Sequence, residues 1–257
     1  MELPKGLTYA VLFVFGLVLG SFLNVLIHRL SEERPWSEVL GGRSRCPSCG
    51  EKIAWYDNVP LLSFLILRGR CRRCGAPISL RYPLVELAGG LIPVLVYWKF
   101  HPFGWPTVLA YTLYGYLLLV LALVDWKTFT VPDELSVGGT LLGLVLSLLR
   151  RDLSFLESLS AAAAGFLLVV VLIYLYRKLR GVVPLGLGDA KVLALIGSFG
   201  GFWALYCALF AGSLLALLFF LPQILKSRSL QFAVPFVPFL AAGGFLGVFC
   251  RDLPIFV

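Results

Sequence analysis

Charge is scarce in this sequence. Only 14% of its 257 residues are Asp, Glu, Lys or Arg, whereas 59% are hydrophobic, and the mean hydropathy is +0.90. A soluble domain carries about 25% charge and 45–50% apolar residues, so the shortage excludes a soluble globular enzyme and a disordered chain. Histidine is nearly missing too. His28 and His101 are the only two, too few and too distant to suggest a His-based metal centre. No Gly-x-Gly-x-x-Gly follows a strand pattern, so a Rossmann-type cofactor site has no support. Tandem repeats and low-complexity linkers are also lacking, and with them the repeated halves common in transporters. Six cysteines in a chain this long do not suggest a secreted disulfide framework.

What is present is a series of long apolar runs. They cover about residues 6–30, 84–100, 106–125, 134–149, 155–176, 189–200, 202–222 and 235–250. At about 20 residues per membrane span, the reading is an all-α polytopic membrane protein with about eight transmembrane helices. The run at 189–200 is short for a span and fits a tilted or partly re-entrant segment. Pro83, Pro106, Pro132, Pro184 and Pro222 stand near the predicted ends, where proline is tolerated. Gly16/Gly20, Gly139/Gly143, Gly197/Gly201 and Gly243/Gly247 are small-residue pairs spaced to let helix backbones approach closely. Glycine is also simply common in membrane helices, and spacing alone does not separate the two readings.

The first run exceeds a signal-peptide core of about 7–15 residues, and basic residues crowd in only after it. It reads as an uncleaved span, residues 1–30, with its N-terminus outside. With that topology, 17 of the 22 Lys and Arg residues fall on the inner side, as the positive-inside rule requires. The net charge of +8 therefore reads as orientation rather than as a nucleic-acid footprint. Residues 31–83 form the one polar stretch long enough for a small domain, placed in the cytoplasm between helices 1 and 2. Residues 84–257 form a seven-helix membrane domain.

The polar stretch contains Cys46-Pro-Ser-Cys49-Gly and Cys71-Arg-Arg-Cys74-Gly. Two C-x-x-C knuckles 21 residues apart have the spacing of a tetrahedral zinc site. Zinc at Cys46, Cys49, Cys71 and Cys74 would supply folding free energy to a loop too short for a full core. The alternatives are four unrelated thiols or two disulfides. Arg68, Arg70, Arg72 and Arg73 surround the second knuckle. A nucleic-acid reader would use them, but positive charge beside an anionic membrane face explains them as well. Cys207 and Cys250 lie in apolar runs and read as packing residues.

Two acids in apolar surroundings are the sharper signal. Asp125 ends the third run in Leu-Val-Asp125-Trp, and Asp189 opens the sixth in Gly186-Leu-Gly188-Asp189-Ala-Lys191. A carboxylate inserted at a helix centre costs on the order of 2.5–3.5 kcal/mol, so such residues are functional suspects. Both fall at inner helix ends. If they meet, they share a proton, and one can act as base on a water while the other polarises a carbonyl. Two rival readings remain on spacing alone. The acids could be interfacial caps, or relay acids of a transporter or proton channel. Glu86 is a third acid near an inner helix end, either a dipole partner or part of the site. Asp133 and Glu134 read as first-turn helix acids. Asn24 reads as an interhelical hydrogen-bonding residue.

These pieces together resemble the prepilin peptidases, the type IV prepilin leader peptidase and N-methyltransferase family of Gly-x-Gly-Asp membrane aspartyl proteases. The resemblance runs from about residue 16 to 245. It rests on Gly20-Ser-Phe-Leu-Asn24-Val-Leu-Ile-His-Arg29, the two knuckles and Ser79-Leu-Arg81-Tyr82-Pro83-Leu-Val-Glu86. It continues through Asp125-Trp-Lys-Thr-Phe-Thr-Val-Pro132-Asp133, Gly186-Leu-Gly188-Asp189-Ala-Lys191 and Pro235-Phe-Val-Pro238-Phe. One departure is Leu30-Ser31 where the family often has proline. The resemblance implies that Asp125 and Asp189 are the protease pair, supported by Gly186, Gly188 and Lys191. It implies cleavage of the basic leader of prepilins and pseudopilins after a glycine, at the cytoplasmic face of a bacterial inner membrane. It also implies methylation of the new N-terminus from S-adenosylmethionine. Some family members lack the cysteines and are peptidases only; this chain has them. Asn24, Arg81, Tyr82 and Glu86 become candidate substrate or methyltransferase contacts. Glu32, Glu33, Glu38 and Glu86 are the acids available to a basic leader, although the polar domain is net basic. The oligomeric state is not legible.

Overall fold

A computed structural model describes residues 4–32, 34, 36–39, 41, 44–181, 186–227 and 234–251. Glu33, Arg43, Pro184 and Arg228, used above, lie outside the described residues. Nine α-helices occur among them, and no strand longer than an isolated bridge. They are α1 (Lys5–Leu30), α2 (Trp36–Val39), α3 (Leu62–Ile66), α4 (Arg81–Phe100), α5 (Trp105–Thr128), α6 (Asp133–Ser147), α7 (Phe155–Arg180), α8 (Leu187–Ser227) and α9 (Val237–Cys250). All eight apolar runs are helical. Five helices, α1, α4, α5, α7 and α8, are long and apolar enough to cross a membrane. The 14-residue α9 and the 15-residue α6 are shorter.

The 41-residue α8 holds two of the expected runs. Gly201 interrupts it at φ 68°, ψ −165°, a conformation open essentially to glycine alone. A side chain there would also strike Glu157 Oε1 and Leu153. Residues 187–200 and 202–227 are therefore two arms of one element. Pro222 lies inside the second arm rather than at its end. The first arm is the densest part of the fold, with residues 192–200 all buried. The outer faces of α7 and of the second arm expose Leu, Phe and Val, as a lipid-facing surface does.

The chain divides into two compact units, residues 1–99 and 100–257. In the first, α1 and α4 approach backbone to backbone. A Cβ on Gly20 would lie 2.8 Å from Glu86 Cα, and one on Gly89 would lie 2.6 Å from Gly20 Cα. Small residues thus set this crossing. In the second unit, α8 packs against α6, α7 and α9, and α5 packs against α6 and α9. The other glycine pairs mark these seams: Gly143 meets Ser198 and Phe199, Gly197 meets Ala161, and Gly247 meets Cys207.

Candidate active site and metal centre

Asp125 lies in the last turn of α5, only 6% exposed. The helix stops because Phe129 turns left-handed and returns its N–H to the Asp125 carbonyl at 2.9 Å. The Asp125 side chain faces the start of another helix. Its Oδ2 accepts the backbone N–H of Val237, the first residue of α9, at 3.2 Å. The first N–H groups of a helix have no internal partner and carry partial positive charge, so α9 offers Asp125 an anion seat. The Pro235-Phe-Val-Pro238 motif carried this signal, since a proline at the second helical position marks a start. Reading from side chains alone missed the role of the Val237 backbone.

Asp189 is the third residue of α8. Its Oδ2 accepts the Gly186 N–H at 3.1 Å, while its own N–H donates to the Gly186 carbonyl at 3.2 Å. This is the reciprocal cap that an acid in a helix first turn makes with the residue before the helix. Gly188 has a steric duty: a Cβ there would sit 2.8 Å from Val131 Cγ2. The turn between α5 and α6 therefore closes against the start of α8. Lys191 is tied across the same seam, its Nζ 2.5 Å from Asp133 Oδ1. This seam brings the start of α8, with Asp189, to the turn that follows Asp125. Each carboxylate is held at a helix N-terminus, one its own and one a neighbour's.

In the first unit, the two knuckles fold as copies. Gly50 donates to the Cys46 carbonyl at 2.9 Å and Gly75 to the Cys71 carbonyl at 3.0 Å, with φ of +72° and +71°. One antiparallel bridge closes each loop, Arg45 with Lys52 and Arg70 with Pro77. The four Sγ atoms lie within 4.8 Å of one another, Cys46 and Cys74 at 3.9 Å. Thiolates at about 2.3 Å from a tetrahedral zinc are about 3.8 Å apart, so the cluster fits a metal ion. The N–H groups of Cys49 and Ser48 lower the Cys46 thiol to about 7. Cys49, although the Glu51 N–H favours its thiolate, is pushed up to about 11 by burial and by the Cys46 and Cys74 sulfurs. Arg72 forms a bidentate pair with Asp57, at 2.6 and 2.9 Å, and is committed to holding the fold.

The other candidates gather where α1 meets α4. Asn24 is buried and donates Nδ2 to the Tyr82 carbonyl at 2.9 Å. Arg81 lies 5.1 Å over the Tyr82 ring. Asn24 Oδ1, Ser31 Oγ and Arg81 Nε are buried without a hydrogen-bond partner among the described residues. Glu86 accepts the Leu61 N–H at 2.9 Å. Leu61 is the centre of a tight turn with φ 59°, ψ −47°, and Leu62 N–H reaches the Pro60 carbonyl at 2.6 Å. That is a γ-turn of the rare, strained hand. Glu86 therefore anchors a strained loop to α4.

Geometry defines the class: a helical multi-pass membrane protein with two aspartates at helix ends and a cluster of four cysteines spaced to hold a metal ion. Comparison with known families agrees with it. The bacterial peptidase A24 N-terminal domain matches residues 14–100, and the type IV leader peptidase family matches residues 112–221. A prepilin leader peptidase/N-methyltransferase of Aeromonas hydrophila is 36% identical over 277 aligned positions, covering 98% of this chain and 95% of its own. Proteins of the same description from Burkholderia pseudomallei strain 1026b and Klebsiella pneumoniae are 36% and 43% identical. They cover 94% and 76% of this chain, and 85% and 86% of their own. No solved structure matches. The chain belongs to the prepilin leader peptidase/N-methyltransferase family.

Proposed function

We propose that this protein removes the basic leader from prepilins and pseudopilins and methylates the exposed N-terminus. The observation that carries the reading is the Gly188–Val131 contact, which brings the start of α8, with Asp189, to the turn that follows Asp125, in a chain of this family. Between them the carboxyls hold one proton. The ionised member takes a proton from a water as it attacks the scissile carbonyl, and the protonated member hydrogen-bonds the carbonyl oxygen. Gly186 leaves room for a substrate backbone beside Asp189, and Gly188 lets the 129–132 turn hold that end of α8. The Lys191–Asp133 pair supports the same seam. The charge asymmetry supports an inner-membrane location with this end in the cytoplasm, among lipids that supply the anionic face.

Residues 31–83 form the cytoplasmic zinc-binding domain of this reading, with Cys46, Cys49, Cys71 and Cys74 as structural ligands. S-adenosylmethionine supplies the methyl group when bound. Asn24 Oδ1 and Arg81 Nε, partnerless polar atoms at the α1–α4 end, are the groups of this corner with hydrogen-bonding capacity left for its amino acid portion. Tyr82 and Glu86 hold this corner in shape. The test is purified enzyme with a prepilin peptide, with and without S-adenosylmethionine, and the product weighed. Cleavage is expected in both, with a further ~14 Da on the new N-terminus only with the cofactor. Asp125→Asn and Asp189→Asn should each stay folded and lose cleavage; normal processing by either sinks the mechanism.

A further inference from the structure

At the far ends of the two aspartate-bearing helices lies a buried ionic cluster that the proposed chemistry does not touch. Arg150, in the loop between α6 and α7, has a fully buried side chain. Its Nη2 and Nε contact the Asp152 carboxylate at 2.6 and 3.1 Å, and its Nη1 donates to the Phe199 carbonyl at 2.7 Å. Asp152 accepts two further hydrogen bonds from α5, Tyr111 Oη at 2.8 Å and Thr107 Oγ1 at 3.0 Å. The Arg150 guanidinium also lies 4.2 Å over the Tyr111 ring. Beside it, Ser158 Oγ donates to the Ser198 carbonyl at 2.6 Å.

The break at Gly201 explains why these donors are needed. It leaves the last carbonyls of the first α8 arm without helical partners, and a cation there also matches the negative helix end. The same cluster holds α5 through Asp152. It thus joins the first turns of α5 to the last turn of the first α8 arm. The opposite ends of those two segments carry Asp125 and Asp189. At 1.5 Å rise per residue, Tyr111 lies about 21 Å along α5 from Asp125, and Phe199 about 15 Å along α8 from Asp189. An axial slip or rotation at the cluster is carried along stiff helices to the carboxylates.

We propose that Arg150 and Asp152 are positioning residues: a buried latch that sets the register of α5 against the first arm of α8, and so the spacing of the aspartate pair. The inference rests on reading Asp125 and Asp189 as that pair. A purely stabilising role predicts that activity follows the amount of folded protein. A latch predicts damaged turnover per folded molecule.

The test compares full-length enzyme variants in detergent for melting temperature, kcat and KM of peptide cleavage, and methylation of a pre-cleaved peptide. Arg150→Met with Asp152→Leu buries no lone charge, but it leaves the Phe199 carbonyl and the Tyr111 and Thr107 hydroxyls without these partners. Its melting temperature should fall, because each orphaned polar group costs stability, while kcat per folded enzyme, measured below the melting transition, falls about 100-fold, the scale of an ångström misplacement. KM should stay within about twofold, and methylation should be unchanged. Arg150→Lys, which keeps the charge but not the fork, should recover part of kcat. If the double variant does not fold, Tyr111→Phe decides, because it removes one hydroxyl and should lower kcat several-fold at constant KM. Wild-type kcat in the folded double variant, or in Tyr111→Phe where that one decides, overturns the latch. Asp125→Asn is run alongside: cleavage by it defeats the acid-pair reading, whereas its inactivity beside fully active latch variants defeats the latch alone.

Discussion

Gly186 and Gly188 look equivalent in the Gly186-Leu-Gly188-Asp189 motif, yet the structure sets them apart. An alanine Cβ at 188 would stand 2.8 Å from Val131 Cγ2 and 3.2 Å from its Cβ. Ordinary carbon contacts are about 3.5–4.0 Å, so the turn or the helix start must yield by roughly 0.7–1 Å. Val131 is stiff at its only side-chain torsion. Overpacking of this kind costs about 1–3 kcal/mol, against which alanine's helix preference over glycine returns at most about 1 kcal/mol. Asp189 is the next residue and moves with the helix start, so kcat should fall by about 100-fold. At 186 the nearest atom, Asp189 Oδ2, is 3.7 Å from the added Cβ, an ordinary contact. Gly186→Ala should therefore hold its stability within about 0.5 kcal/mol, and any loss of kcat there would report a clash with substrate. Gly138 has nothing within 4 Å, so Gly138→Ala is the helical control and should gain stability of up to about 1 kcal/mol. Thermal melts and peptide cleavage on the three variants decide the matter. A Gly188→Ala enzyme with wild-type kcat would refute the claim that the 129–132 turn positions Asp189.

Metal binding at the four cysteines should weaken as pH falls. Binding displaces thiol protons, and the Cys49 and Ser48 N–H groups lower the Cys46 thiol to about 7. Below that value protons compete for it, so zinc retained against a chelator should drop between about pH 7 and 5; a pH-independent content would contradict a thiolate site. Cys46→Ser and Cys71→Ser should each lose the metal at neutral pH. Leu61→Gly should relieve the strained turn, worth about 1–3 kcal/mol, less about 1 kcal/mol for glycine's extra freedom when unfolded. A small gain in melting temperature is expected, and a marked loss would mean that the Leu61 side chain, not the Glu86 anchor, holds the loop.

Much of this was legible because membrane insertion and metal ligation each leave a one-dimensional trace. Apolar runs located every long helix, since a span must be continuous in sequence. The C-x-x-C spacing located the cysteine cluster, since each knuckle is a single turn. Asp125 and Asp189 stood out because a carboxylate at the end of an apolar helix is rare. Partners supplied by the backbone stayed hidden. Val237 contributes an N–H, which every residue but proline has, and no side-chain pattern marks which helix start will meet Asp125. Leu61 gave no signal at all, because a leucine at positive φ contradicts its own propensity and is held by Glu86, 25 positions away. Arg150 was counted only as one of the few basic residues on the outer side, although its side chain is fully buried and hydrogen-bonded.

The burial of Arg150 has a physical origin. A loop arginine between two spans reads as solvated because hydropathy sums single residues, whereas burial of this one depends on a gap that only the break at Gly201 creates. The break frees the Phe199 and Ser198 carbonyls. Free carbonyls in an apolar interior demand donors, and a guanidinium can serve both a carbonyl and a carboxylate at once. Asp152 follows two residues later in sequence, close enough to neutralise it, and Thr107 and Tyr111 satisfy the remaining carboxylate lone pairs. One glycine at a helix interior thereby accounts for four buried polar residues on two other segments. A Gly201→Ala substitution, which cannot hold that backbone angle, should disturb the whole cluster together with cleavage, even though it lies twelve residues from Asp189 in sequence.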